Sequence, residues 1–90
     1  MKWEKILIDS VKDGTIRALH LSKIPRLKTC DNWKDVEPIG WVDHKLKFAH
    51  YKGGLVKLND NIYFVTDQTL NALSEFVTFK FPQKITVIED

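Results

Sequence analysis

The clearest hydrophobic pattern in this chain is an alternation of apolar and polar residues with a period of two. Successive side chains of a β-strand point to opposite faces, so such an alternation predicts strands. The segments that alternate are KLKFAHY (45–51), LVKLNDN (55–61) and IYFV (62–65). Residues typical of tight turns separate them, in KGG (52–54) and NDN (59–61). The pattern therefore predicts a three-stranded antiparallel meander over residues 45–65.

One segment, TDQTLNALSEFV (66–77), has the period of a helix instead. Its apolar residues recur at spacings of three or four and form one stripe, made of Leu70, Leu73, Phe76 and Val77. Thr66 or Asp67 is suited to cap the helix N-terminus, and the carboxylate of Asp67 suits the positive end of the helix dipole. We expect one main helix over residues 67–77.

The segments before the meander predict shorter elements. Residues 3–11 are rich in β-branched side chains, an Asp13-Gly14 turn follows them, and residues 15–24 read as a return strand. Residues 31–37 lack alternation, so they predict a short helical turn, with Asp31 as its cap.

Two further strands are predicted on either side of Pro82, in VTFKF (77–81) and KITVIE (84–89). The chain shows no internal repeat, linker or low-complexity stretch. The economical architecture is then an α+β fold, with a small antiparallel sheet of five to seven strands packed by one main helix. We expect residues 1–90 to form a single compact domain.

Composition agrees with an ordinary globular domain. Ninety residues support one hydrophobic core without disulfides, and 43% hydrophobic and 29% charged residues are typical of folded proteins. The single cysteine, Cys30, excludes an internal disulfide and a multi-cysteine zinc site. The apolar run at residues 6–8 is too short for a signal peptide or a membrane span. We therefore expect a cytoplasmic protein that does not enter membranes.

The alternation also predicts which residues share a face of the sheet. A helix this short covers part of one face only. The other face is therefore expected to be exposed to solvent or to contact a partner. The residues predicted to face the helix are Leu46, Phe48, Val56, Leu58, Ile62 and Phe64. The opposite, open face then holds Lys45, Lys47, Tyr51, Leu55, Lys57, Tyr63 and Val65.

Three interpretations of this open face remain. Lysines and tyrosines on neighbouring strands suit a single-stranded nucleic acid, because lysines bind phosphates and tyrosine rings stack on bases. The same residue types are ordinary on the solvent face of an antiparallel sheet. A strip of Tyr51, Leu55 and Tyr63 with a rim of lysines also has the anatomy of a protein interface, which Trp33 would extend. The net charge falls from +4 in residues 1–30 to −2 in residues 61–90, which favours an acidic partner only weakly.

Candidate catalytic groups do not assemble into a recognisable site. His44 and His50 are six positions apart, which is ~20 Å if the segment is one unbroken strand, so they could share a metal or a proton only if the chain bends sharply between them. Cys30 lies beside Asp31, and a neighbouring negative charge disfavours a reactive thiolate. The sequence leaves open whether Cys30, His20 or His50 lines a ligand site. We expect no enzymatic activity, no cofactor and no metal.

The sequence thus favours a small stand-alone protein-binding domain of the adaptor, inhibitor or immunity type. Its partner would be another protein or a second copy of the chain. The residues expected to contact that partner are Tyr51, Leu55, Tyr63, Trp33, Lys45, Lys47 and Lys57. The alternative is single-stranded nucleic-acid binding through the basic face of residues 45–63.

Overall fold

The computed structural model describes residues 8–45, 47 and 49–89. It shows the predicted α+β class, with a three-stranded antiparallel sheet, a parallel pair of strands and a few short helices. In chain order the described elements are α1 (residues 8–12), β1 (Thr15–Arg17), α2 (Ala18–Leu21), a 3₁₀ helix (Trp33–Asp35), β2 (Glu37–Lys45), β3 (His50–Leu58), β4 (Asn61–Thr66), α3 (Asp67–Leu73) and β5 (Thr86–Ile88).

The predicted meander is confirmed, although its first hairpin lies elsewhere. Strands β2, β3 and β4 pair antiparallel in that order, with Leu55 opposite Phe64. The predicted turn between β3 and β4 is present. Asn59 and Asp60 adopt φ of 50° and 66°, the left-handed conformation that a two-residue hairpin loop needs. The turn predicted at residues 52–54 is wrong, because these residues lie inside β3.

Irregular chain lies along both edges of the three-stranded sheet. Backbone hydrogen bonds to Phe64 hold residues 25–27 against β4, and bonds to Trp41 hold residues 83–85 against β2. Strand β5 continues from the second of these segments and pairs with β1 in parallel. Covering an edge in this way satisfies backbone groups that would otherwise be free to pair with another chain.

The three-stranded sheet is covered on both faces. One face, here called the N-terminal face, is buried among Val11, Ile16, Leu21, Ile24, Ile39, Val42, Leu55, Ile62, Phe64 and Ile85. The other, here called the α3 face, is centred on Val36, Val56 and Val65. Leu55 and Val56 are adjacent in β3 and both are 0% exposed. The central strand is therefore buried on its two sides, as in sheets with a layer on each face.

The predicted open face is wrong as a single surface. The register places Leu55 opposite Phe64 and Val56 opposite Tyr63, so Val56 shares a face with Tyr63 and not with Phe64. Leu55 and Val65, which the prediction puts on the open face, are fully buried on opposite faces. Alternation assigns sides within one strand. The pairing register joins the sides of neighbouring strands. The loop between β3 and β4 has two residues, Asn59 and Asp60, instead of the predicted three, and this difference shifts the register by one residue.

The strand predicted over residues 3–11 is also wrong where the structure describes it. Residues 8–12 are helical, and this helix packs Ile8 and Val11 on the N-terminal face. A spacing of three places both side chains on one helix face, so tertiary packing outweighs the local preference for strand. Residues 1–7 lie outside the described residues, as do two of the residues predicted to face the helix, Leu46 and Phe48.

The turn at Asp13-Gly14 is confirmed, with Gly14 at φ 89°. The strand predicted over residues 15–24 is present only in its first three residues. The next four residues form the helical turn α2, which places Leu21 in the core. The imperfect alternation of this segment therefore reflects a change from strand to helix.

The main helix is present but shorter than predicted. Thr66 caps α3, because its side-chain hydroxyl accepts a hydrogen bond from the N–H of Thr69. The helix gives way to a turn at residues 74–76 instead of continuing through residues 67–77. None of its residues is fully buried. Residues 77–81 follow as irregular chain and not as the predicted strand.

The short helical turn predicted over residues 31–37 is the 3₁₀ helix that begins at Trp33. Its cap is Asn32, whose side chain accepts a hydrogen bond from the N–H of Lys34, and not the predicted Asp31.

Close packing, and not a turn, explains the Gly53-Gly54 pair. A Cβ on Gly54 would overlap the ring of Phe81, and a Cβ on Gly53 would collide with the carbonyl oxygen of Val65. The Phe81 ring in turn contacts Trp41 edge-on, with 5.7 Å between the ring centroids. The missing side chain at residue 54 therefore positions an aromatic pair on the α3 face.

We expect Gly54→Ala to destabilise the protein by about 1–2 kcal/mol, because the added methyl group displaces the Phe81 ring. The lower conformational entropy of alanine in the unfolded chain offsets part of that loss. In a Phe81→Ala background the same change is expected to be neutral or stabilising. Urea denaturation of the four proteins in this double-mutant cycle measures the difference. Equal losses in both backgrounds would show that the overlap with Phe81 is not the cause.

Candidate functional site

The α3 face is covered less completely than the N-terminal face. Among the described residues, the core on the N-terminal face has ten buried hydrophobic residues, and the core on the α3 face has three. Eight further residues pack around those three and remain partly exposed: Leu27, Cys30, Trp33, Leu58, Tyr63, Leu70, Phe79 and Phe81. The covering layer on the α3 face is therefore thin and partly open to solvent.

Four aromatic rings follow one another across this layer. The centroid of Trp33 lies 6.3 Å from that of Phe79, which lies 6.5 Å from that of Phe81. Phe81 contacts Trp41 at 5.7 Å, and both outer contacts are edge-to-face. Contacts of this geometry add ~0.5–1.5 kcal/mol each beyond area burial, so they favour one fixed arrangement of the rings.

A groove of about 200 Å³ opens beside this row of rings. It is called the aromatic groove below. Its apolar lining consists of Trp41, Leu70, Val77, Phe79 and Phe81. Its polar lining consists of Asp67, Asn71, Ser74 and Thr78. An apolar wall with a few polar groups beside it is the usual composition of a binding site.

Phe76 lies in the turn that follows α3, close in the chain to residues that line the groove. Its side chain is 78% exposed, although a hydrogen bond from its N–H to the carbonyl oxygen of Leu73 holds the backbone. Val77, the next residue in the chain, and Ser74, two residues before Phe76, both line the groove. An exposed aromatic residue close in the chain to an apolar groove makes this region a candidate interaction site.

The structure divides the predicted aromatic strip between the two faces. Tyr51 lies on the N-terminal face, edge-on to Phe64 at 5.8 Å. Leu55 is buried on that same face and offers no surface to a partner. Tyr63 and Trp33 both lie partly exposed on the α3 face. Of the predicted aromatic contacts, Tyr63 and Trp33 therefore share the face that carries the aromatic groove.

The predicted lysines do not form one array either. Lys45 lies opposite His50 across the hairpin, and His50 is seven positions from Lys57 along β3. An odd spacing places Lys45 and Lys57 on opposite faces. Lys57 lies at the far end of β3, where its Nζ is 3.6 Å from Oδ1 of Asp60. Lys47 is exposed in the connection between β2 and β3.

A histidine and an aspartate pair at the end of the hairpin where β2 connects to β3. His50 Nε2 lies 2.6 Å from Asp43 Oδ1, a surface hydrogen bond. This bond holds the pKa of Asp43 below its ordinary value, and the positive charges of His50, Lys52 and Lys84 lower it further. A carboxylate that orients an imidazole corresponds to two of the three residues of a catalytic triad, the third being the nucleophile. No Ser, Thr or Cys side chain in the described ranges hydrogen-bonds to this imidazole as the third member.

The other histidine of this hairpin faces the end of β5. His44 Nε2 lies 3.2 Å from Glu89 Oε1, which is within ion-pair range, but the orientation does not make a hydrogen bond. His44 lies opposite Tyr51 in the register, on the N-terminal face, whereas His50 lies on the α3 face. The two histidines therefore do not share a site.

Cys30 lines a second cavity, of about 470 Å³, beside the β3–β4 turn. The rest of its lining is Thr29, Asp31, Asn32, Asp35, Leu58 and Asn59. His50 begins the strand that Leu58 ends, so it is ~27 Å from this cavity. The lining includes no histidine, and the cavity does not combine the cysteine with His20 or His50.

No group of three or more His, Cys, Asp or Glu side chains that would hold a metal ion occurs in the part of the chain that the structure describes. In that same part, no helix has the length and apolar character needed to cross a bilayer. The chain matches no protein-family model, no curated protein and no solved structure. The aromatic groove and Phe76 are thus supported by their own geometry alone.

The sequence analysis does not predict the residues of the aromatic groove as binding residues. The available signal is FVTFKF (76–81), three phenylalanines in six residues. Alternation assigns this run to a strand, which would bury alternate side chains. The segment is irregular instead, and its phenylalanines lie at the edge of the thin layer, where Phe79 and Phe81 are half-buried and Phe76 is exposed.

We expect the Asp43 carboxyl group to titrate below the ordinary aspartate value and His50→Ala to raise its pKa. The substitution removes a hydrogen-bond donor and a positive charge together. His50→Gln keeps a donor without a charge and is expected to give an intermediate pKa. Carbon-13 NMR titration of the Asp43 side chain measures all three values.

The direction of the pH effect on folding follows from this shift. A depressed aspartate pKa contributes stability above the unfolded-state pKa, and that contribution is lost as the pH falls through the folded-state pKa. The pair is exposed, so the contribution is small. An Asp43 pKa that does not change in His50→Ala would contradict the assigned cause.

Proposed function

We propose that this protein is a small protein-binding domain whose partner docks on the aromatic groove and Phe76. The unequal covering of the sheet carries the proposal: the described part of the N-terminal face has ten buried core residues, and the α3 face has three behind a partly exposed layer. Aromatic side chains at the centre of a patch with polar groups around it are typical of protein interfaces.

The energetics of the patch support a macromolecular partner. Full burial of a phenylalanine side chain contributes ~1.5–3 kcal/mol of stabilising free energy. Because the Phe76 side chain is 78% exposed, most of that free energy would be gained only when a partner buries it. The rings of Trp41, Phe79 and Phe81 already contact one another. Surfaces with little conformational freedom lose little entropy when a partner covers them. Phe76 is accordingly the proposed anchor, and the groove is the pocket beside it.

Site-specific photocrosslinking tests this surface in cells. Benzoylphenylalanine at residue 76 is expected to give discrete protein adducts. Leu19 and Ile88 are matched controls, because they too are exposed hydrophobics, at 51% and 50%. The same group at these residues is expected to give no adducts, because no residue next to them in the chain lines the groove, whereas Val77 does. Mass spectrometry of the purified adducts identifies the captured proteins.

Competition provides the control for specificity. An excess of unmodified protein is expected to suppress the adducts, and an excess of the Phe76→Asp variant is not. Residue 76 is mostly exposed, so this variant is expected to fold within about 0.5 kcal/mol of the unmodified protein, which chemical denaturation checks. Adducts that form equally from residues 19, 76 and 88 would refute the proposed surface.

The lysines of residues 45–57 suggested nucleic-acid binding as the alternative function, and a separate binding measurement tests it. If four lysines neutralise four phosphates of a single strand, a plot of log affinity against log salt concentration is expected to have a slope near −3. We expect no such binding, because Lys45 and Lys57 lie on opposite faces of the sheet. Fluorescence titration of labelled single-stranded DNA and RNA at low salt checks this. Micromolar binding that is lost when Lys45, Lys47, Lys52 and Lys57 are changed to Glu would favour the nucleic-acid function instead.

A further inference from the structure

Four charged side chains of alternating sign cross the three-stranded sheet at the end where the aromatic groove lies. They come from four separate parts of the chain and are, in order across the sheet, Lys84, Asp43, Lys52 and Asp67. They are called the charged row below. Two further exposed charges close to the groove in the chain, Glu75 and Lys80, are also of opposite sign. Neither a wholly acidic nor a wholly basic partner matches such a surface.

The strand pairing establishes the order of the charged row. Trp41 of β2 bridges Lys84 at one edge of the sheet and pairs with Gly54 of β3. Gly54 pairs in turn with Val65 of β4, two residues before Asp67. Three spacings of ~4.8 Å between neighbouring segments therefore separate the two outer charges, which is ~14 Å across the sheet. The two inner charges are themselves a register pair of β2 and β3.

All four side chains of the charged row lie on the α3 face. Lys84 precedes Ile85, which is buried on the N-terminal face, so Lys84 points the other way. Asp43 and its register partner Lys52 lie on the side of Trp41, whose ring contacts the aromatic layer of the α3 face. The fourth member of the row lines the aromatic groove itself.

The members of the charged row lie close together without forming ion pairs. A hydrogen bond from His50 holds the pKa of Asp43 below its ordinary value, and the charges of Lys52 and Lys84 lower it further. No ion pair joins two members of the row in the part of the chain that the structure describes. Lys45, opposite His50 in the next register pair, lies outside the row. Each charge of the row is therefore available to a group of opposite sign on a partner.

A row of alternating charges is complementary to itself. A two-fold axis that lies against the α3 face, parallel to the strands and midway between β2 and β3, exchanges the ends of the row in a second copy. Lys84 of each copy then lies over Asp67 of the other, and Lys52 of each copy lies over Asp43 of the other. All four contacts join opposite charges, and none joins like charges.

The same axis passes over the aromatic pair of the groove. The Phe81 ring lies over Gly54 of β3 and contacts Trp41, the register partner of Gly54 in β2. The rings of two copies would therefore meet at the centre of the contact, with the charged rows beside them. Aromatic residues at the centre and charges toward the rim are typical of protein interfaces.

We propose that the partner on the aromatic groove is a second copy of this chain, held in a two-fold symmetric contact in which the charged row of each copy lies over that of the other. This inference rests on the proposed function and identifies its partner. A two-fold dimer uses the same surface of both copies, so it requires a self-complementary surface. A partner of uniform charge would meet a like charge at two of the four positions of the row, which disfavours it.

Charge reversal tests this contact by sedimentation velocity. The unmodified protein is expected to form dimers at micromolar concentration, and raised salt is expected to weaken them because exposed ion pairs are screened. Lys84→Asp and Asp67→Lys are each expected to weaken dimerisation at least about tenfold, because the reversed charge meets a like charge twice in a symmetric dimer. A one-to-one mixture of the two variants is expected to restore the dimer, because every outer contact then joins opposite charges.

Further variants separate the charge effect from effects on folding. Lys52→Asp and Asp43→Lys form a second matched pair through the inner charges, and their mixture is expected to restore dimerisation in the same way. Asp9→Lys reverses an exposed charge in the layer that covers the N-terminal face. This control is expected to leave dimerisation within about twofold. Circular dichroism and urea denaturation verify that each variant is folded.

Each contrary result identifies what is wrong. Equal dimerisation of all single variants, or mixtures that dimerise no better than their components, would overturn the contact between charged rows. A chain that stays monomeric while residue 76 crosslinks to other proteins would refute the second copy and retain the proposed function. A monomeric chain that gives no adducts from residue 76 would refute both. In the proposed dimer, the adduct from residue 76 is expected to have twice the mass of the monomer.

Discussion

Strand β3 is buried on both faces and hydrogen-bonded to a strand on each edge, and the other described elements are arranged around it. Leu55 and Val56 are adjacent and point to opposite sides, so each needs its own apolar layer. The segments before and after β1 cover Leu55, and the 3₁₀ helix, α3 and the C-terminal aromatics cover Val56. A chain of ninety residues has few apolar residues with which to cover both faces of one sheet.

The layer on the α3 face is thin as a consequence. A small chain has a high ratio of surface to volume, and here the second layer is built from half-buried aromatics and a seven-residue helix. Gly54 allows the Phe81 ring to approach the backbone of β3, which brings Trp41 and Phe81 into contact. The same close packing that stabilises this thin layer leaves a groove at its edge. Stability and the proposed binding surface therefore depend on the same residues.

Basic and acidic side chains lie together at one end of the sheet. At the end of the hairpin where β2 connects to β3, Lys52 and Lys84 lie close enough to lower the pKa of Asp43, which already accepts a hydrogen bond from His50. Along α3 the charges are carboxylates without basic partners in the described chain. Thr66 pairs with Gly53, and Trp41 bridges Lys84, so these basic residues and the start of α3 lie at the same end of the sheet as the aromatic groove.

The sequence by itself determined the α+β class, the three-stranded antiparallel meander, a turn within residues 59–61 and a cap of α3 at Thr66 or Asp67, because each depends on periodicity or on residues close in the chain. Only the tertiary structure decided the helix at residues 8–12, the parallel pairing of β1 with β5, and the burial of Leu55 and Val65 on opposite faces. Those features depend on register and on contacts between distant segments, and alternation within one strand carries no information about either. The candidate site shows the same division. Its phenylalanines are visible in the sequence, but their exposure depends on residues 77–81 being irregular beside a sheet that the sequence alone leaves uncovered on one face.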